Sequence, residues 1–474
     1  MTRADYIAKI AVLDAENAEL RAQVARIPIL EAENVQLRSQ VLGLENKLIE
    51  LSLKVERLLI RKDSSNSSLA PSRDLFKKNQ SLRTSSGRKV GAQQGHKGKT
   101  LEMVEKPDHV KAIIAEYCNI CSSKLDGSQA VLVERRQVVD IPPIKAEVTE
   151  YQAFAITCAC GHYQVGDFPS GVDNHIQYGP NIAAMAVYHN VYQYVAFKRL
   201  RDFFVHICNL PISIGTLENM VVRMADKARP IWEEFRQAIE QSKVVGSDET
   251  SAKVNSKKHW IWVWQSAFIT FLAVSASRGC DMINAMFPNG FPTATLSTDR
   301  WKAQLKTHAL HHQLCLAHLL RDLVYLGQIE KTPWADQFKE LLLDAIQLKK
   351  TKSAYLKDDP KVREIEQRLD RLLMEHDIDE NALKTITFRD SMLKHQKHLL
   401  PFLYNSNVTY DNNASERSIR NVKVKLKVSG QFKSRQEEYC ILRSVIDTTI
   451  KNGNSVFGAI SALAHLKMPP KAAV

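Results

Sequence analysis

Apolar positions recur along the chain with several periods, and each period predicts a different kind of element. Leu30, Leu37, Leu44, Leu51 and Leu58 return every seven residues, and Asn34, Val41, Leu48 and Val55 follow the first four of them at a spacing of four. This is the d-and-a seam of a heptad repeat, with Glu31, Glu33, Arg38, Glu45 and Lys47 at the flanking e and g positions. Five leucines in strict register exceed what one helix needs to pack on its own protein, so the pattern predicts a parallel, two-stranded coiled coil within residues 1–62. Asn34 at an a position fits, because a buried polar residue there fixes register at some cost in stability. Upstream, Ile10, Asn17 and Val24 pair with Leu13, Leu20 and Ile27 in a similar frame, and Pro28 coincides with a phase shift of three residues.

Alternation with period two marks two later regions. "VERRQVVDIPPIKAEVTEYQAFAITC" alternates like strands. In the second region "KVVGSDET" predicts a short buried strand ending at Asp248, "HWIWVWQSA" and "FITFLAVSAS" two more, and "ATLSTDRW" a strand ending at Asp299. Between the two regions, over 173–242, the pattern turns helical. "PNIAAMAVYHNVYQYVAFKRLRDFFVHICNL" outlines a helix pair, and the run after it begins with Ser213 or Thr216 as a helix cap. A helix, a Gly-containing turn and a capped helix suit DNA binding by a helix-turn-helix and suit simple packing equally. A long helical stretch follows over 316–400, then a helix carrying Glu416, then a helical tail over 436–474.

Composition adds a sign to this picture. Lys and Arg outnumber Asp and Glu by 65 to 52 in 474 residues, and the formal charge of +13 favours a polyanionic partner such as nucleic acid. Hydrophobic residues at 44% and charged residues at 25% fit a folded, soluble, multidomain protein. No apolar run approaches the roughly 20 residues that span a bilayer, and the start of the chain has scattered acids in place of a signal-peptide core, so a cytoplasmic, nucleoid-associated location is expected. Residues 63–103 change to Ser, Gly, Lys and Arg, with eight bases and two acids over 63–100. This segment reads as a flexible basic linker, a plain tether or an arm that contacts phosphates through residues such as Lys97.

Two constellations carry candidate chemistry. Cys118 and Cys121 form a C-x-x-C knuckle, and Cys158 and Cys160 a tighter C-x-C pair 37 residues after Cys121. Four thiolates on two turns can converge on a structural Zn2+, with His162 as a substitute ligand, which predicts a small zinc-ribbon-like module over 104–172. The second constellation is Asp248 and Asp299, each at the C-terminal end of an apolar β segment, together with Glu416, the one acid between Asn412 and Lys425. Two aspartates on strands and a glutamate on a later helix are what two-metal phosphoryl transfer needs, since hard oxygen ligands hold a pair of Mg2+ or Mn2+ ions. Glu249, beside Asp248, could serve in its place. Arg417, Arg420, Lys423, Lys425 and Lys427 around Glu416 are the expected phosphate contacts. "HALHHQLCLAHLLRDL" offers His311, Cys315 and His318 as a further metal site, against which a structural or DNA-positioning role is favoured.

The order of these segments resembles a transposase of the insertion sequence 66 family. The resemblance runs through "NSSLAPSRD", "GAQQGHKGKTL", the cysteine-bearing segment, "YGPNIAAMAVYHNVYQYV", "DETSAKVNSKKHWIWVW", "STDRW", "CLAHLLRDL" and "NNASERSIRNV". It implies a multidomain α/β protein with an N-terminal coiled coil, a zinc-ribbon-like module, a helical segment, and a ribonuclease-H-like catalytic domain over 243–435 that carries a helical insertion at about 316–400. It also implies a DDE triad of Asp248, Asp299 and Glu416, DNA ends and target DNA as partners, a homodimer through the coiled coil, and accessory proteins from the same element. Ser251 stands where the family often has Gly, and Arg300 and Trp301 where it often has Gly-Tyr. The rival reading is a catalytically inactive or regulatory zinc-containing DNA-binding protein derived from a transposase.

Overall fold

The computed structural model describes residues 3–59, 91, 95–98, 100–374 and 378–467. The linker expected over 63–103 lies largely outside these residues; Lys97 is among those described and is exposed.

Helix α1 (Arg3–Leu59) is one uninterrupted helix of 57 residues that passes through Pro28. At 1.5 Å per residue it is about 85 Å long. Its seam residues Leu37, Val41, Leu44, Leu48 and Leu51 stand between 52% and 65% exposed. An apolar stripe of this kind is buried by nothing in a single copy of the helix.

Residues 101–172 form little regular structure. A bridge joins Tyr117 to Lys124 around the first cysteine pair, and β1 (Ala155–Thr157) pairs antiparallel with β2 (Tyr163–Val165) around the second. The alternating run before Cys158, expected to be strands, becomes a strand only at β1, and Val133, Val138 and Val148 are more than nine-tenths exposed. Alternation specifies a strand only when something covers the apolar face, and among the described residues nothing does.

The rest divides into two compact units. One takes in the N-terminal helix with Ser297–Trp301 and His311–Asn412; the other takes in Ser81–Leu296, Lys302–Leu310 and Asn413–Val474. A five-stranded sheet of β3 (Val244–Val254), β4 (Lys257–Gln265), β5 (Thr270–Ser275), β6 (Phe291–Thr298) and β7 (Ala309–Leu314) has the order β5-β4-β3-β6-β7, which is 3-2-1-4-5 counted within the sheet. The first three strands form an antiparallel meander, with Asp248 opposite Val263 and Trp262 opposite Ala273. Asn255 and Ser256 turn β3 into β4 with positive φ of 46° and 64°, the left-handed pair that a two-residue hairpin of matching twist requires.

In the second unit both faces of the meander are covered. Trp262 and Trp264 stack at 5.7 Å on one face, where Trp264 also meets Phe287 after α5 (Cys280–Met286), and Phe287 meets Phe291. On the other, Ile261, Val263 and Leu272 pack in one core with Ala225 and Ala228 of α4 (Ile214–Glu240) and Ile441 of α13 (Gln436–Lys451). Ser213 caps α4 by accepting from Thr216 N at 3.0 Å. A π-helical turn at Tyr188–Tyr192 separates α2 (Pro180–Val187) from α3 (Phe197–His206), and α14 (Val456–His465) packs on α2. Edge strand β5 is blocked by α13, where Ser444 Oγ accepts from Leu272 N at 2.9 Å and Thr448 Oγ1 from Thr270 N at 3.0 Å. The short α6 (Lys302–Lys306) follows β6.

The first unit holds α7 (Leu316–Glu330), α8 (Pro333–Thr351), α9 (Pro360–Met374), α10 (Leu383–Lys394) and the single turn α11 (Pro401–Tyr404); Trp334 of α8 stacks on Phe338 at 4.9 Å, meets Phe388 of α10 and donates to Leu372 O of α9 at 2.7 Å. Glu330 satisfies the open amides at the start of α10 by accepting from Lys384 N and Thr385 N.

Candidate active site

Asp248 and Glu249 are neighbours on β3, and the pleat sends them to opposite faces. Glu249 is fully engaged: its side chain, 4% exposed, accepts from Arg278 at 2.6 and 2.8 Å and from Gln304 Nε2 at 2.9 Å. A buried carboxylate held this way serves the sheet; Asp248 is half-buried on the other face, where its Oδ1 accepts from Glu249 N at 2.8 Å.

Helix α12 (Asn413–Ser429) runs along β3 in the same direction. Lys423 Nζ reaches Ser251 O at 3.4 Å, and Phe432, just past the helix, bridges in parallel to Val254. Glu416 lies seven residues before Lys423 and on the same helix face, about 10 Å back along the axis. Asp248 lies three residues before Ser251, about 10 Å back along the strand. Asp248 and Glu416 thus lie on two elements that pack against each other within the second unit.

The basic residues of α12 divide by face. Arg417, Arg420 and Lys427 are exposed, and Lys423 is half-buried against β3. Lys425, expected among the phosphate contacts, is instead 9% exposed; its ammonium sits 3.4 Å from Asn190 O, and burial pushes its pKa down to about 8. It falls on the helix face of Ser415, Ser418, Ile419 and Val422, which packs inward.

Asp299, one residue past β6, belongs to the first unit, and there it meets partners that sequence reasoning had not joined to it. Its Oδ1 lies 2.9 Å from His318 Nδ1, and the carboxylate, the Cys315 sulfur and the His318 imidazole lie within 4.8 Å of one another. Burial alone would push the His318 pKa down; the Asp299 carboxylate, aided by Cys315, outweighs it and holds the imidazole well above its usual value. The His311 of the expected trio is exposed on β7, and Asp299 takes its place. The Cys-x-x-His spacing at a helix start was the available signal, since residues three apart share a face. The arrival of Asp299 depends on sheet topology, and no local pattern encodes it.

The four knuckle cysteines are placed pairwise. Cys118 N donates to Ser123 O and Ser122 N to Cys118 O, each at 2.9 Å; Cys158 N donates to His162 O and Gly161 N to Cys158 O, each at 2.8 Å. Both pairs thus sit in tight hairpin turns. The Ser123 hydroxyl, 3.0 Å from the Cys121 sulfur, is the largest cause that brings that thiol down to about 7. Among the described residues, the group of three or more potential ligands within mutual reach is Asp299, Cys315 and His318, and the two knuckles are not drawn together.

Comparison with known families decides the class. The model described as "Transposase IS66 family" matches residues 175–438, more than half of the chain. The chain belongs to the IS66 transposase family. The match spans α2 through the start of α13, so all three acids of the expected triad fall inside it. A second model, a family of unknown function, matches residues 11–102. A comparison with curated proteins gives no match. Membership in this transposase family makes DNA the expected substrate class and divalent metal the expected aid, and no described helix is long and apolar enough to cross a membrane.

Proposed function

We propose that this IS66 family protein is a DDE transposase that cleaves the ends of an insertion sequence and joins them to target DNA by two-metal phosphoryl transfer. The observation that supports the reading is the packing of α12, which carries Glu416, on β3, which carries Asp248. The sheet order 3-2-1-4-5, with its antiparallel first three strands, supports a ribonuclease-H-like catalytic core, and α7–α11 between Asp299 and Glu416 support a helical insertion.

Asp248, Asp299 and Glu416 offer hard carboxylate oxygens that suit Mg2+ or Mn2+. When bound, such a pair of ions supplies activation of the attacking water or 3'-hydroxyl and charge stabilisation at the leaving oxygen. The chain's own contribution is placement. Arg417, Arg420 and Lys427 present exposed cations beside Glu416, where phosphates would be gripped, and Lys423, tied to Ser251, fixes the helix against the strand. Lys97 would add a phosphate contact from the linker. The knuckle turns would hold a structural Zn2+ through Cys118, Cys121, Cys158 and Cys160, a reading supported by the tight turn that each cysteine pair already forms. The exposed seam of α1 would be covered by a second copy of the same helix, so that two protomers hold two DNA ends, with accessory proteins of the same element as further partners.

The test uses purified full-length protein, Mn2+ and DNA carrying the element's own terminal inverted repeats. Nicked or joined products are expected, and Asp248→Asn should reduce them at least a thousandfold while leaving DNA binding unchanged. Binding without any metal-dependent product would establish the regulatory reading instead.

A further inference from the structure

We infer that Asp299, Cys315 and His318 form a binding site for one thiophilic divalent cation of the zinc class, separate from the knuckle module. The donor set is the first argument. A carboxylate oxygen, a thiol sulfur and an imidazole nitrogen lie within 4.8 Å of one another. Three mixed protein ligands with one position left open is the pattern of zinc sites that keep an exchangeable ligand. A sulfur donor selects zinc-like ions over Mg2+ or Ca2+, which prefer oxygen.

The second argument is that the backbone builds the site. Cys315 N donates to Thr298 O at 2.9 Å, tying the residue before Asp299 to the cysteine, and Leu316 N donates to Tyr410 O at 2.8 Å. Cys315 is the N-cap of the 15-residue α7, where the helix dipole favours a thiolate, and His318 follows three residues later on the same face. Asn412 N donates to the Cys315 sulfur at 3.2 Å, the kind of outer contact that orients and stabilises a metal-bound thiolate. Cys315 is 2% exposed and His318 9%, so these two donors are desolvated and set by packing, while the Asp299 side chain keeps a third of its surface open to solvent.

The inference rests on one unit of the chain and stands or falls independently of the transposase reading, although both use Asp299. A zinc-class ion bound there would fix the Asp299 carboxylate in place, leaving its second oxygen for another cation. The competing arrangement is a hydrogen bond from His318 Nδ1 to Asp299 Oδ1 with no ion, to which the 2.9 Å separation is also suited.

Cobalt distinguishes the two, because a cobalt–thiolate bond gives a charge-transfer absorption that oxygen and nitrogen ligands do not. The full chain carrying Cys118→Ser, Cys121→Ser, Cys158→Ser and Cys160→Ser keeps Cys208, Cys280, Cys315 and Cys440, of which, among the described residues, Cys315 alone stands in a group of three potential ligands. Titration with Co2+ should produce the thiolate band, saturating at one equivalent, displaced by Zn2+ and untouched by excess Mg2+. Adding Cys315→Ser should abolish the band, and His318→Gln should weaken cobalt affinity at least tenfold. No band in the parent, or a band that persists with Cys315→Ser, overturns the proposal. Should the fourfold variant not fold, the bound zinc of the unsubstituted chain decides: Cys315→Ser, with unchanged circular dichroism, should retain one equivalent less, and equal contents overturn the site.

Discussion

Residues 101–172 and the meander β3–β5 are written in the same alternating code, yet they end in opposite states. Trp262, Val263 and Trp264 are at most 1% exposed, whereas Val133, Val138 and Val148 are at least 91% exposed. The meander is covered on one face by an aromatic cluster and on the other by α4 and α13, which supply the area that makes alternation decisive. The cysteine-bearing segment has two hairpin turns and little to pack against. Periodicity thus names which residues can share a face, and only a covering element makes that face real.

The sharpest attack on this contrast is through the knuckles. If a structural Zn2+ joins Cys118, Cys121, Cys158 and Cys160, metal binding contributes on the order of 10 kcal/mol to ordering the segment. Hydrogen exchange over 117–124 and 155–165 should then slow at least tenfold in zinc relative to chelator, and Cys158→Ser should erase the difference. Equal exchange in both conditions would mean that this segment is not a metal-folded module.

A smaller effect is expected inside the covered region. Arg278→Met removes the cation from Glu249, whose side chain is 4% exposed. Gln304 continues to donate and Arg278 is itself a third exposed, so the loss should be about 2 kcal/mol, below the range for a fully buried pair. Denaturant unfolding measures it, and the companion Glu249→Gln should cost less, because no buried charge is then left alone.

An effect of similar size and opposite sign concerns Lys425. Its pKa is about 8 when folded, below the 10.5 of an exposed lysine. Between those values the unfolded chain holds a proton that the folded chain has released, so this group's contribution to stability rises with pH across that window. Lys425→Met keeps most of the packing and removes the buried charge. The variant should exceed the wild type by roughly 1–3 kcal/mol near pH 7, with the advantage shrinking toward pH 10.5. A pH-independent difference would show that packing, and not charge burial, sets the cost.

Sequence made legible what is local. The heptad seam predicted a long helix, and α1 is one; Ser213 was a candidate cap, and it caps α4. The apolar runs ending at Asp248 and Asp299 predicted strands, although β3 continues six residues beyond Asp248 to Val254, because the Trp-rich strand opposite extends the ladder. What stayed hidden was set by residues far apart in the chain. Glu249 is claimed by Arg278, 29 residues on; Lys425 is buried beneath Asn190, 235 residues earlier; and Asp299 meets a cysteine and a histidine across a strand and a turn. A charge run on a helix cannot reveal which of its lysines faces inward when the covering surface comes from another part of the chain.

The clasp of α13 on β5 has a consequence for the timing of biosynthesis. Besides the hydroxyls of Ser444 and Thr448, Lys451 Nζ gathers Gln265 Oε1, Ser266 O and Ile269 O within 2.9 Å, so the edge of the sheet is finished by residues made much later than the strand itself. The ribosome adds about 180 residues between the two, and contacts of that span close late. A nascent or truncated chain that stops before Gln436 leaves β5 with an open edge, so the sheet is completed only once α13 has been made.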